Sequence, residues 1–198
     1  MTNQPNGPVG AATEEQFERW HFSADQYQFM VEAGVFRKED RVELLDGEIY
    51  LMAAVGPWHN AAVDVVNMAL APALNGRAIV RVQGSFRLSP SSEPEPDILV
   101  LRHQWDFYRT RLPGPEDVLL LVEVSDTSIS YDRNLKLPLY SLSGVNEVWL
   151  VNRHDERVET YRRPLGWRYD EVDYKQRGEV VSLLAFPEIA IPVADLLG

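Results

Sequence analysis

The chain has 198 residues, with 30 acidic against 19 basic side chains, a formal net charge of −11 and no cysteine. That length suits one domain with a sizeable core, and 45% hydrophobic residues, including five Trp and eight Tyr, can fill it. The charge excludes nonspecific coating of nucleic acid by a dominant cationic surface. The missing thiols exclude disulfides and thiolate metal sites, so any metal must be held by oxygen or imidazole.

No apolar run reaches the length needed to span a bilayer, and the opening "MTNQPNGPVGAATEEQ" lacks a basic end followed by an apolar stretch. The expectation is an intracellular, cytoplasmic protein without membrane contact. Residues 1–12 read as a flexible tail and 13–198 as a single domain. Ser23, with Gln26 three residues on, opens a helix as a capping box. Tyr27, Met30 and Val31 share one face of it, and Gly34 closes it. In "RVELLDGEIYLM" two apolar runs flank Asp46-Gly47, a strong hairpin signal.

From about Asn60 to Leu74, Val63, Val66, Leu70 and Leu74 recur at helical spacing, and Asn75-Gly76 ends the run. Pro72 should bend or shorten it. Three strand candidates follow: "AIVRVQ", "SFRLS" and "DILVL". After an irregular loop rich in Arg and aromatics, "DVLLLVEVS" has the continuous apolar run of a strand buried on both faces. A short helix fits between Tyr131 and Leu142, provided that Pro138 makes it begin late or kink. "NEVWLVN" reads as another buried strand, "RVETYRR" with "WRYDEVDY" as a more exposed hairpin, and the remainder as short strands and turns. The order predicts an α+β or mixed α/β domain around one central sheet. The arginines at 102, 109 and 111, and those at 153, 157, 162, 163 and 168, read as solvated positions, though a local basic groove stays open.

The chemistry concentrates at strand ends. Pro94 and Pro96 straighten "SEPEPDILVL", so Asp97 stands at the mouth of a strand whose next residues are core. Glu123 interrupts a second buried strand, where an unpaired carboxylate would cost several kcal/mol. On neighbouring strands the two acids would form the minimal oxygen cage for Mg²⁺, which takes one or two carboxylates and keeps several waters. Without a metal they should repel, raising the pKa of one of them. Asp132 and Lys136 stand at i, i+4; they make either a surface pair worth under about 1 kcal/mol or a lysine leaning over the carboxylates.

"ELLDGEIY", "GPWH", "SEPEPDILVL", "LLLVEVSD", "YDRNLKLPLY" and "GVNEVWLVN", in this order, resemble the Uma2 family, also called DUF820, across about residues 22 to 197. That family is similar to restriction endonucleases of the PD-(D/E)XK fold. The resemblance implies an α/β (α+β) restriction-endonuclease-like core, a central mixed sheet flanked by helices, with an extra N-terminal hairpin and C-terminal strands. It implies Asp97, Glu123 and Lys136 as catalytic residues. It also implies a Mg²⁺ site, with Mn²⁺ able to substitute, made by Asp97, Glu123 and the Val124 carbonyl. The nuclease motif has Lys two residues beyond the Glu; here Ser125 stands there, and Lys136 matches a lysine moved to the following helix. The helix from Asn60 offers only Asp64 where many nucleases carry a Glu. His59 and Glu43 match family motifs as accessory residues.

The function so implied is metal-dependent hydrolysis of phosphodiester bonds in DNA, with a homodimer the expected assembly. Two other classes stay open. One is a catalytically inactive nuclease-like scaffold that binds nucleic acid or protein. The other is a carboxylate-pair glycosidase, in which Lys136 would have no natural role.

Overall fold

The computed structural model describes residues 18–37, 39–52, 56–125 and 128–198. The tail at 1–12 and Asp126 of the "VEVSD" motif lie outside them. Helix α1 (Ala24–Glu32) starts from the Ser23–Gln26 capping box. Ala24 and Tyr27 are its buried residues, whereas Val31, expected on the same face, is exposed. Strands β1 (Val42–Leu45) and β2 (Glu48–Leu51) form the antiparallel hairpin around Asp46-Gly47. Gly47 takes φ 80°, and a Cβ there would meet His21 Cβ at 2.7 Å, so no other residue fits this turn.

Helix α2 (Pro57–Leu74) begins at Pro57, earlier than its apolar periodicity, and places Pro72 within its last turn. Asn75 ends it in the left-handed conformation. The central sheet runs β3 (Ala78–Val82), β4 (Ile98–Arg102), β5 (Val118–Ser125), β6 (Glu147–Asn152), β7 (Arg157–Leu165), β8 (Arg168–Gln176) in that spatial order. All its pairs are antiparallel except β5 with β6. The expected strand at "SFRLS" is absent. Phe86 and Leu88 are buried there, but among the described residues only an isolated bridge joins Ser89 to Ser92.

The crossover from β5 to β6 resolves the conflict at Pro138. One α-turn, α3 (Ile129–Tyr131), runs into a π-helical turn over Asp132–Lys136 and then α4 (Leu137–Leu142). Leu137 N–H donates to the Asp132 carbonyl, an i→i+5 bond that widens the turn. Pro138 thus falls in the first turn of α4, where its missing N–H costs little. The C-terminal stretch forms a second hairpin, β9 (Val180–Leu183) with β10 (Phe186–Pro192), and then a helix, α5 (Val193–Leu197), where strands and turns were expected.

Both faces of the sheet are covered at its central strands. Val122, Val124 and Trp149 pack with Val66 and Leu70 of α2 and Leu196 of α5. Leu121, Val148 and Leu150 pack with Leu137 and Tyr140 of the crossover and with Phe86. Double coverage explains the uninterrupted apolar runs of β5 and β6.

Of the arginines read as solvated, those at 102, 109, 111, 163 and 168 are exposed, and those at 153, 157 and 162 are half-buried; several of them pair with acids of the fold. Arg162 pairs with the buried Glu147 at 2.7 Å, and Arg157 with the buried Glu159 at 2.9 Å. Arg111 forks onto both oxygens of Asp117 at 2.6 and 3.0 Å, and the Gly114 amide adds a bond at 2.8 Å. Burial would raise the Asp117 carboxyl, but these bonds hold it below the ordinary carboxylate value. A carboxyl depressed in the folded state stabilises above its unfolded pKa of about 3.9, and that contribution fades as pH falls through the folded value. Asp117→Asn should therefore cost about 1–2 kcal/mol at neutral pH, discounted for the half-exposed Arg111. The deficit should vanish toward acid pH; urea titrations at neutral and acid pH measure it.

Candidate active site

Strands β4 and β5 pair with Ile98 opposite Val122, so one register step further sets Asp97 opposite Glu123. Opposed residues of an antiparallel pair have Cβ atoms about 4.5–5.5 Å apart. The hydrogen bonds agree: the Asp97 amide donates to Glu123 Oε2 at 3.4 Å, and Asp97 Oδ2 accepts from the Val124 amide at 2.8 Å. The two acids singled out by their strand-end positions meet at one end of the sheet.

Each layer of the fold sends a side chain to this end. From α2, His59 Nε2 lies 2.8 Å from Asp97 Oδ1. Its bond to Asp97 raises the His59 pKa against the opposing effect of burial. From the crossover, the Lys136 ammonium lies 3.0 Å from Glu123 Oε1 and 3.3 Å from Glu43 Oε2. Glu43, expected as an accessory residue, is fully buried. Its other oxygen accepts from the Tyr131 hydroxyl at 2.9 Å, and the Glu95 amide donates to Oε2 at 3.1 Å.

The Asp132–Lys136 surface pair read from the i, i+4 spacing does not form. Both residues are buried, and the wide π-helical turn separates their partners. Asp132 accepts from the hydroxyls of Ser125 and Ser128. Ser125, at the place where the nuclease motif has lysine, thus ties the end of β5 to the start of the crossover.

Charge does not balance here. Among the described residues, four carboxyl groups, from Glu43, Asp97, Glu123 and Asp132, gather here against the Lys136 ammonium, which contacts Glu43 and Glu123, and the His59 imidazole, which contacts Asp97. Burial pushes the Glu123 carboxyl upward; Lys136 opposes this, while the charges of Asp132 and Asp97 add to it. Burial alone would lower Lys136, but the charges of Glu123, Glu43 and Asp132 outweigh it and raise its pKa. An excess of buried negative charge draws in either protons or a cation.

The donor set fits a hard divalent ion. Glu123 Oε1 is occupied by Lys136 and by the Tyr140 hydroxyl at 2.6 Å. Oε2 has only the long bond from the Asp97 amide among the described residues, which leaves lone-pair capacity facing Asp97. No three His, Asp or Glu side chains among the described residues form a ready-made cage. Asp97 and Glu123 are the residues that could hold a divalent ion of the kind that takes one or two carboxylates and keeps several waters. Asp97 remains 13% exposed and His59 28% exposed, so the Asp97 side of the cluster is reached from solvent.

Sequence reasoning missed Tyr131 and Tyr140. The signal was present: Tyr140 follows Lys136 by four residues, one helical turn, and so meets the same carboxylate.

Comparisons with known proteins give a family and a fold. The Uma2 family, described as "Putative restriction endonuclease", matches residues 15–194. A crystal structure of a "putative nuclease belonging to DUF820" from Anabaena variabilis ATCC 29413 superposes with a TM-score of 0.64. It is 18% identical, over 89% of this chain and 97% of that one, and so has the same fold. No curated protein matches the chain. No helix among the described residues is long and apolar enough to cross a membrane. With the family model matched over residues 15–194, most of the chain's length, the chain is a member of the Uma2 family.

Proposed function

We propose that this chain is a divalent-metal-dependent endonuclease that hydrolyses phosphodiester bonds in DNA. Asp97 and Glu123 hold Mg²⁺, or Mn²⁺ in its place, with the Val124 carbonyl as a third protein ligand. The observation that carries the reading is the pairing of Asp97 with Glu123 across β4 and β5, with Lys136 against the far oxygen of Glu123. When bound, the ion supplies a water of lowered pKa and offsets charge on the phosphate.

The remaining work falls to the chain's own side chains. His59 fixes the orientation of Asp97 by occupying Oδ1. Tyr140 and Lys136 fix Glu123, and Glu43 with Tyr131 fixes Lys136. Lys136 is a localised positive charge that orients the attacking water or steadies the phosphate oxygens. Catalysis of this kind rests on positioning and electrostatics, with little covalent work for the protein. A twofold dimer, with two centres facing two strands, completes the reading.

Calorimetry with Mn²⁺ tests the site apart from turnover. The wild-type protein should show a site that Asp97→Ala and Glu123→Ala each erase. His59→Ala should weaken it about 10- to 100-fold, as expected for a partner that orients a ligand. A scaffold that only binds nucleic acid or protein would show no site sensitive to both acids, and that result would overturn the proposal.

A further inference from the structure

The loop between β4 and β5 contains "HQWDFYRTR", which contributes nothing to the carboxylate cluster. Two of its aromatic side chains stand in solvent: Trp105 is 85% and Phe107 58% exposed. Single exposed apolar residues are common and need no explanation, but this pair is held out by construction. Phe107 and Tyr108 both adopt left-handed backbone, φ 55° and 59°. L-residues rarely take that conformation, and rarely twice running. The double inversion sends the Tyr108 ring into the core and leaves the Phe107 ring outside.

Several contacts lock the loop in that shape. The guanidinium groups of Arg81 and Arg111 both stack on the Tyr108 ring, 5.7 and 5.3 Å from its centroid. Its hydroxyl donates to the Arg102 carbonyl at 2.7 Å. Asp106 accepts from the Tyr108 amide at 3.2 Å and the Thr110 hydroxyl at 3.1 Å. Arg81 donates to the Phe107 carbonyl at 3.2 Å. Phe107 is braced edge-on against His103, with ring centroids 5.9 Å apart.

Charge and position point the same way. Residues 102–111 carry Arg102, Arg109 and Arg111 against one acid, Asp106, in a chain whose net charge is −11; Arg111 is paired with Asp117, which leaves Arg102 and Arg109 as the loop's surplus charge. Arg109 is exposed beside the two aromatics. The loop lies along β3, the edge strand that leads to the site: Arg81 holds Phe107, and two residues later Gln83 N–H donates to the Asp97 carbonyl at 2.9 Å. A site ringed by carboxylates repels a polyanion, so affinity must come from elsewhere. Stacking on a rigid aromatic supplies it without regard to net charge, at about 5- to 100-fold per base.

We propose that this loop is the docking surface for the DNA strand: unpaired bases stack on Trp105 and Phe107 while Arg109 takes a backbone phosphate. The partner's identity rests on the nuclease reading. Stacking needs an open base face, which a duplex interior hides, so the strand that binds is single or frayed.

The test is fluorescence anisotropy of a labelled oligo-dT in EDTA, with a blunt duplex of equal length beside it. The wild-type protein should prefer the single strand. Trp105→Ala and Phe107→Leu should each weaken that binding about 5- to 100-fold, and Arg109→Gln should lower its salt dependence by about one phosphate contact. Trp105 is too exposed for its loss to unfold the chain, and Phe107→Leu provides an independent check. Equal binding by both variants and the wild type, no wild-type binding, or a preference for duplex that ignores Trp105 would each overturn the proposal. Because EDTA removes turnover, Trp105-dependent binding in a protein that never cleaves would sink the nuclease reading and leave this surface standing.

Discussion

Lys136→Met should cost the fold about 3–5 kcal/mol, the usual penalty for stripping one partner from a buried ion pair. Lys136 is 3% exposed and lies against two carboxylates, Glu43 and Glu123, both buried. Methionine keeps the volume but leaves both acids facing each other in a water-poor space. The tyrosine hydroxyls that remain, Tyr131 on Glu43 and Tyr140 on Glu123, are neutral donors and offset only part of the loss. Adding Glu43→Gln should restore a good share of the stability, because it removes one of the stranded charges. Urea unfolding by linear extrapolation measures both variants. A Lys136→Met protein within about 1 kcal/mol of wild type would show that the ammonium is not the counter-charge of this cluster.

Glu123→Gln should separate chemistry from folding. Glutamine can still accept from Tyr140 and Lys136 through its carbonyl oxygen, and Lys136 keeps Glu43 as its ion partner. Stability should therefore stay within about 1 kcal/mol of wild type, since a neutral side chain of the same shape removes buried charge rather than stranding it. Cleavage should fall by well over about 100-fold, more than the loss expected for a residue that merely supports a ligand. The amide offers a divalent ion a neutral oxygen where the account requires a carboxylate. Full activity in Glu123→Gln would place the metal elsewhere.

Much of the fold was legible because strong local signals agreed with the tertiary result. Asp46-Gly47 marked its hairpin, the runs around Glu123 and Trp149 marked doubly covered strands, and the Ser23–Gln26 box marked the first helix. Asp97 and Glu123 were legible for a simpler reason: an acid set into an apolar strand needs a partner, and neighbouring strands supply one. What escaped depended on long-range packing. The "SFRLS" segment has strand composition, but among the described residues it finds scattered backbone bonds to Ser92, Pro94 and Pro113 and one isolated bridge, Ser89–Ser92, instead of a continuous partner strand. The C-terminal "VADLL" is too short for a periodic signal, and it becomes helical against α2 and the sheet. The burial of Glu43 was hidden because its partner Lys136 lies 93 positions away in the chain, joined to it only by the fold. The π-helical turn was half visible: Pro138 announced that a regular helix could not run through, but not which wider turn would replace it.

The most direct measurement is relaxation of supercoiled plasmid by the wild-type protein in Mg²⁺ or Mn²⁺, with EDTA and Asp97→Ala as controls. Nicked or linear product that needs the ion and disappears with Asp97→Ala is the predicted result. Cleavage that persists in EDTA, or in the Asp97→Ala protein with its fold intact, would contradict a centre built on the strand-end acids.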